Sequence, residues 1–534
     1  MRRIFAYLIL AILHLGCFRP DADSEEVFHY NQQTPITSLD PAFAKSLNHM
    51  WAIEHMYNQL LDLDDSMKLV PEIASSWEIL DQGLTYRFHL RNDIYFQGDT
   101  IFKPESTRLL TARDVKYSFS RLIDKNLATP GSWVFAGKLR DSMPFEAASD
   151  TIFILHLKQP FSPIMQMLTM HYCSIVPEEF QKYNSRFVSE HPVGTGPFQL
   201  QKWLGKQGMF FKKNENFYIK GLPKLKGIRI SFIEDRTSAY LEFSKGKIDF
   251  FSGIHSGFAS DILDENGDLQ RSKQRSISFY KNNFLNTEYI GINRTVLPPD
   301  HCLQNRLVRQ ALNFAIDRAQ LIKVLRHGIG TPAVQGFVPQ GMASNDLHLI
   351  SGYGYNPKKA KALLDSAGYF EMEHGAEIKI YTNKDYLDII QFVAGEWQKI
   401  GVKCAIELME TSALREQMRV GGVPVFRASW VADYPDEENF FAPFYSKNPA
   451  PPNYTRFSSI NFDALYDKSV TETDYQRRMD LYSKMDSILI SESPVIFLFY
   501  DQTTWFASST IHGLKPNSLN LLKLCEVYQT VRQQ

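Results

Sequence analysis

The chain has 534 residues, 44% of them hydrophobic and 22% charged, which suits a soluble globular protein of about two to four domains rather than one compact core. A formal net charge of −1 gives no electrostatic footprint for nucleic acid or an anionic membrane surface. Five scattered cysteines, Cys17, Cys173, Cys302, Cys404 and Cys525, lack metal-ligand spacing, and without Cys17 the other four make no disulfide framework.

The N-terminus reads as an export signal. Arg2 and Arg3 form a basic start, and residues 4–15 are an almost unbroken apolar stretch too short for a permanent membrane helix. Leu13-His14-Leu15-Gly16-Cys17 resembles a bacterial lipobox, with Cys17 as the lipidated first mature residue; His14 departs from the usual aliphatic residue, and plain secretion is the alternative. Residues 18–26 form a polar tether. No later segment approaches about 18 consecutive apolar residues, so the mature protein is expected to be soluble or tethered.

A strand is predicted at residues 27–30, then a turn at Leu39-Asp40-Pro41 and a helix over about 51–61. Residues 84–90 alternate with period two, as a half-buried strand does, after a turn at Gln82-Gly83. Thr111 and Asp114 are spaced as a capping box that opens a helix. Residues 150–157 read as a strand closed by Pro160. Gly194-Thr-Gly-Pro-Phe198 is a sharp turn before strands that run to about Phe232. It is not a phosphate loop, because no Lys-Ser/Thr follows and Pro197 obstructs a helix start.

Beyond residue 289 the pattern becomes α/β. Residues 303–326 are helical, with Asp317 and Gln320 restarting the helix after Ala315-Ile316. Asn356-Pro357 opens the next helix and Gly368 stops it. Strand 377–381, helix 385–400 and strand 402–408 form a βαβ unit, which makes parallel sheet. A helix over 474–490 and a strand over 494–500 complete the series.

At this point the order of blocks resembles the oligopeptide/dipeptide-binding protein family of ABC importers, the bacterial extracellular solute-binding proteins of family 5. The similar blocks are Val70-Pro-Glu-Ile-Ala-Ser-Ser-Trp-Glu78, Gly83-Leu-Thr-Tyr-Arg-Phe-His-Leu-Arg91, Phe96-Gln-Gly98, Thr111-Ala-Arg-Asp-Val115 and Gly194-Thr-Gly-Pro-Phe198. They continue with Arg309-Gln-Ala-Leu-Asn-Phe-Ala-Ile-Asp-Arg318, Asn356-Pro-Lys-Lys-Ala-Lys-Ala-Leu-Leu364 and Trp430-Val-Ala-Asp-Tyr434. The resemblance implies an α/β, two-lobed periplasmic-binding-protein fold with an extra β-rich domain inserted in the first lobe. The first lobe would comprise about 24–62, 190–284 and 502–534, the insertion 63–189 and the second lobe 285–501, after a signal peptide at 1–17.

The function implied is capture of short peptides in a closing interlobe cleft and delivery to ABC importer permease subunits, by a monomer on the periplasmic side, lipid-anchored through Cys17. No enzyme activity, cofactor, metal or catalytic residue is expected. A receptor for varied peptides must bind the common termini, and a desolvated ammonium needs an ionised partner. By resemblance Asp433 is the amine clamp and Trp430 its neighbouring wall, and Arg427 stands where a guanidinium would meet a ligand carboxylate. Asn286, Thr287 and Tyr289 precede the hinge strand and are candidates for hydrogen bonds to the ligand. Trp133 would project from the insertion, and Tyr500 ends the returning strand. Lys45 stands near a position that can be acidic in peptide-binding members, favouring a ligand with extra negative charge.

Rival readings remain open at this stage. None of the 14 histidines lies in a His-Glu-x-x-His or Gly-x-Ser-x-Gly context. The acid pairs Asp64-Asp65 and Glu437-Glu438 read as solvated. Within the same fold the ligand could be a murein peptide, glutathione, a nickel chelate or haem, and a surface lipoprotein could be a scaffold or adhesin.

Overall fold

The computed structural model describes residues 26–255, 257–346, 351–372 and 377–530. The expected signal, tether and Cys17 lie outside them, save Glu26.

In chain order, β1 is Val27–Asn31, followed by a hairpin of β2 (Leu61–Leu63) and β3 (Leu69–Pro71). β4 (Ala74–Leu80), β5 (Thr85–Leu90), β6 (Phe145–Ser149) and β7 (Ile152–His156) make a separate four-stranded antiparallel sheet. The helix Ala112–Ile123 packs on it, started by the predicted capping box of Thr111 and Asp114. Asp114 is fully buried and also takes an ion pair from Arg108 at 2.6 Å, which links the helix to the rest of the inserted region.

β8 (Phe198–Trp203), β9 (Gly208–Lys213), β10 (Gly227–Ser231) and β11 (Phe250–Ser252) follow, then β12 (Ile277–Ile292). β13 (Thr331–Pro332), β14 (Ile378–Thr382), β15 (Cys404–Leu408), β16 (Val425–Val431) and β17 (Val495–Ser508) complete the major sheet. Its order is β15-β14-β16-β12-β17-β11-β1-β10-β9-β8, with β13 on β17.

Two strands explain the shape. At ~3.3 Å per residue the 16 residues of β12 reach about 50 Å, well beyond the usual length of a strand in a globular protein. β12 and β17 pair through both lobes, and their ladder shifts register twice near the middle, between Asn283 and Thr287 and between Glu288 and Tyr289. Asn283 faces Gln502, and the next pair is Thr287 with Tyr500, so β12 carries extra residues there. Such an irregularity bends the strands and raises the local twist. On one side of it lie β11, β1 and β8–β10; on the other lie β14–β16 and the helices Arg306–Phe314, Pro357–Ser366 and Leu387–Lys399. The molecule is mixed α/β and two-lobed. The apolar core of the second lobe gathers Leu312, Leu364, Ile380, Ile390, Trp397 and Val425.

The βαβ unit is formed as read, with β14 and β15 parallel in register from Ile378/Cys404 to Thr382/Leu408. Asn356 and Asp317 cap their helices through Lys359 N and Gln320 N, at 2.9 and 3.0 Å. Gly368 takes the left-handed conformation that stops the first of these, with φ 64.

Three readings need correction. The helix expected over 51–61 spans Leu47–Glu54. Residues beyond it give their carbonyls to other segments: Met56 O accepts from Gly196 N, His55 O from Phe198 N and Asn58 O from Ile175 N. Tertiary pairing overrides the helical periodicity there. The strand expected over 494–500 runs on to Ser508. Asn286, Thr287 and Tyr289, placed before the hinge strand, lie inside β12.

Candidate functional site

β16 ends at Val431, where Ala432 N donates to Leu285 O at 2.8 Å and so holds the next residues beside the β12 irregularity. The chain then turns through Asp433-Tyr-Pro-Asp436 into the short helix Glu438–Phe441. Asp433 combines two properties. Its side chain keeps solvent-accessible surface, yet surrounding protein lifts its carboxyl to about 6, chiefly by burial, with the Asn439 side chain pulling the other way. Among the described residues no Lys, Arg or His forms a salt bridge with it.

Trp430 is half-buried, and its Nε1 donates to Asn439 Oδ1 at 3.0 Å. From the inserted region come Trp133, stacked on Tyr434 with ring centroids 6.3 Å apart and planes at 29°, and Tyr172. The Tyr172 hydroxyl is pushed up to about 12 by burial and then by the charge of Asp433. The same two regions meet at the backbone: Ser162 N donates to Val470 O at 2.8 Å, and Ser162 Oγ to Glu472 O at 2.6 Å. The structure thus brings Trp430, Asp433 and Trp133 together at the junction of the inserted region and the second lobe.

The other sequence-predicted residues have protein partners. Arg427 ion-pairs with Glu288 on the neighbouring strand, with side chains 10% and 5% exposed, and lies over the Tyr386 ring. Glu288 is shifted up by burial, opposed by Arg427. Asn286 Nδ2 donates to Glu288 Oε1 at 3.2 Å and reaches Asp501 Oδ2 at 3.4 Å; Asp501 in turn ion-pairs with Arg326. Thr287 Oγ1 donates to Phe337 O at 2.8 Å, and Tyr289 is buried edge-on to Phe337. Tyr500, in mid-strand, donates its hydroxyl to Gly336 O at 2.9 Å. Lys45 is exposed.

The expectation that Glu437-Glu438 is solvated is overturned. Asp436, Glu437 and Glu438 are 2%, 5% and 3% exposed. Three tyrosine hydroxyls and a guanidinium make this tolerable: Tyr482 Oη donates to Asp436 at 2.9 Å, Arg478 lies 3.4 Å from it, and the nearby Tyr434 and the distant Tyr466 donate to Glu438. Glu437 accepts from Ser344 N, and burial followed by Asp436 raises it to about 7. Of the other acid pair, Asp65 is exposed and Asp64 partly so.

The turn at Gly194–Phe198 is a packing device. A Cβ on Gly196 would stand 2.4 Å from Met56 C and 2.6 Å from Tyr57 N, so only glycine admits this backbone approach. A separate cavity of about 390 Å³ lies between β2–β3, residues 217–222 and residues 513–526. Its charges are engaged internally: Lys523 Nζ donates to Asp62 at 2.5 Å and Tyr218 Oη to Glu72 at 2.8 Å. Among the described residues Cys173, Cys302, Cys404 and Cys525 form no disulfide. Among the described residues no helix is long and apolar enough to cross a membrane, and no cluster of three or more His, Cys, Asp or Glu could hold a metal ion.

The chain resembles known binding proteins over most of its length. It is 29% identical over 495 residues to heme-binding protein A of Haemophilus influenzae, covering 89% of this chain and 87% of that one. It is 27% identical over 493 residues to the glutathione-binding protein GsiB of Shigella flexneri, covering 90% of each. Among solved structures, the periplasmic binding protein DppA of Helicobacter pylori, in complex with the peptide STSA, superposes with a TM-score of 0.77 at 26% identity over 94% of this chain and 98% of its own. Residues 68–452 match the family model described as bacterial extracellular solute-binding proteins, family 5 Middle, and the chain belongs to that family.

Proposed function

We propose that this member captures short peptides between its lobes and delivers them to the permease subunits of an ABC importer, with Asp433 holding the α-ammonium. The observation that carries this is Asp433 itself, an exposed carboxylate with no salt-bridge partner among the described residues, next to Tyr434, which stacks on Trp133 of the inserted region, and near Tyr172 of the same region. An ammonium placed there brings the charge that makes ionisation favourable in a desolvated setting. Trp430, Trp133 and Tyr172 supply apolar walls that do not select one side chain. The peptide bound by the DppA relative agrees with this chemistry. Glutathione, bound by the GsiB relative, also has an α-ammonium and suits the same clamp.

In this reading the lobes are 24–62 with 190–284 and 502–534, and 285–501, with 63–189 inserted. The protein acts as a monomer tethered outside the cytoplasm through lipidated Cys17. Asn286, Tyr500 and Arg427 support the hinge from within by the hydrogen bonds and ion pair already described, and Tyr289 by its ring contact with Phe337.

Native mass spectrometry of the purified protein tests the ligand class directly. A retained mass matching a di- to pentapeptide supports the proposal; a retained haem or metal chelate sinks it. Calorimetry on Asp433→Ala then tests the clamp, with a loss of about 2–5 kcal/mol expected for breaking a buried charge pair.

A further inference from the structure

We propose that the cavity beside the β2–β3 hairpin is a second binding site, for a small amphipathic amine whose ammonium meets Glu72 and whose apolar body lies among Phe217, Ile219, Leu222 and Leu524. The site stands apart from the interlobe cleft and from the role given to Asp433 there.

The cavity, of about 390 Å³, has the size of a small-molecule pocket. Its lining comes from residues 54–72, 197–222 and 513–526, and among the described residues none between 223 and 512 contributes. A closing movement of residues 285–501 therefore need not form or break it. The walls mix two chemistries: Met67, Phe217, Ile219, Leu222, Leu521 and Leu524 give apolar surface, and Glu72 stands among them.

Glu72 is held through one oxygen only. Its Oε1 accepts from Asn58 Nδ2 at 2.5 Å and from Tyr218 Oη at 2.8 Å. Tyr218 is steadied in turn by Arg91, whose guanidinium lies 4.8 Å from the ring centroid. These contacts fix the carboxyl group, while Oε2 has no hydrogen-bond partner among the described residues and keeps accessible surface. The nearby cations are committed elsewhere. Lys523 Nζ donates to Asp62 Oδ1 at 2.5 Å and to Leu63 O at 3.0 Å, and Arg91 pairs with Asp93 at 2.8 Å. Lys515 pairs with Glu526 at 2.7 Å and lies 3.6 Å from Asp65. Glu54 is matched by His171 at 2.9 Å, and Asp64 by the backbone N–H groups of Ser66 and Lys68.

Glu72 is thus the lining carboxyl that has neither a cation nor a backbone donor. Burial, and then the charge of Asp62, push it up to about 8. An incoming ammonium would favour its ionised form, and an apolar body attached to that ammonium would leave water for the walls. An anionic ligand would meet like charge instead, and an uncharged one would forgo the ion pair.

Calorimetry of full-length Asp433→Asn protein with phenethylamine at pH 8 tests this. The substitution removes the interlobe carboxylate as a competing partner, and an alkylammonium is still charged at that pH. Saturable one-to-one binding is expected, weaker by about 10–100-fold when Glu72→Gln is added, the range for one hydrogen bond to a charged group. Glutamine keeps an acceptor oxygen for Asn58 and Tyr218. Phenethyl alcohol and hydrocinnamate should each bind at least about 10-fold more weakly than the amine. Equal binding of phenethylamine with and without Glu72→Gln overturns the proposal, and so does no binding up to about 10 mM. Anomalous diffraction from crystals soaked in a brominated phenethylamine covers the case in which the glutamine variant does not fold. Bromine between Phe217 and Leu524 supports the site, and bromine found only elsewhere overturns it.

Discussion

Trp133 of the inserted region lies stacked on Tyr434 of the second lobe, one residue beyond Asp433. The pair joins elements far apart in sequence, and an opening of the cleft would separate it. Aromatic pairs of this kind contribute about 0.5–1.5 kcal/mol beyond their buried area. A contact present only in the closed state adds its free energy to ligand affinity, because the ligand selects that state. Trp133→Ala should therefore weaken peptide binding by about 2–10-fold, and small-angle scattering at sub-saturating ligand should show a larger radius than wild type at the same ligand concentration. Equal affinity in the variant would remove the stack from the closing mechanism.

Arg427 and Glu288 form a pair whose loss is dangerous to the fold. With both side chains nearly inaccessible, removing one leaves a buried, uncompensated charge at a cost of about 3–5 kcal/mol. Arg427→Ala should thus lower the urea midpoint sharply, and adding Glu288→Gln should restore much of it, since the orphan carboxylate is gone. If Arg427 instead serves a ligand carboxylate, its loss lowers affinity with little effect on stability. The comparison of denaturation and calorimetry on the same variants separates the two roles.

Local chemistry was readable from the sequence wherever it is set by near neighbours. Thr111 with Asp114, Asp317 with Gln320, Asn356 with Lys359 and the stop at Gly368 all act within a few residues, and each is present. What depends on distant residues was not readable. The helix after Leu47 ends early because residues 55–58 pair with segments around 175 and 196–198. Glu438 is buried because Tyr466 supplies a hydroxyl from another helix. The candidate site divides along the same line. Trp430 and Asp433 carry a local signature, whereas Arg427 owes its pairing with Glu288 to the strand register. Tyr172 and Asn439 have no such signature, because their roles exist only once the turn and the inserted region come together.

The close approach at Gly196 can be tested as packing. An added Cβ would fall 2.4 Å from Met56 C, a backbone atom that cannot move aside as a flexible side chain would. Gly196→Ala should cost at least about 1–3 kcal/mol, the usual range for overpacking, and more if the backbone of residues 55–57 has to shift. Chemical denaturation measures it. A neutral substitution would mean that the 194–198 turn has slack the contacts do not suggest.

Asp433 sets binding against stability, and the sign of its pH dependence follows from its position. Its carboxyl titrates near 6 in the ligand-free fold against an ordinary value of 3.8, so between those values the folded chain binds more protons than the unfolded one. Stability then rises as pH falls through 6 toward 4, and at neutral pH the charged side chain is a burden on the empty protein. Because the side chain retains solvent contact, that burden is smaller than full burial would impose. Asp433→Asn should accordingly raise the melting temperature at pH 7 and leave it nearly unchanged at pH 4, where both side chains are neutral. The same substitution should abolish the loss of peptide affinity that wild type shows on acidification below about pH 6, since only an ionised clamp attracts the ammonium. Melting curves and calorimetry across this range report both effects, and a melting temperature at pH 7 that falls on substitution would show that the carboxylate is satisfied within the protein rather than reserved for a ligand.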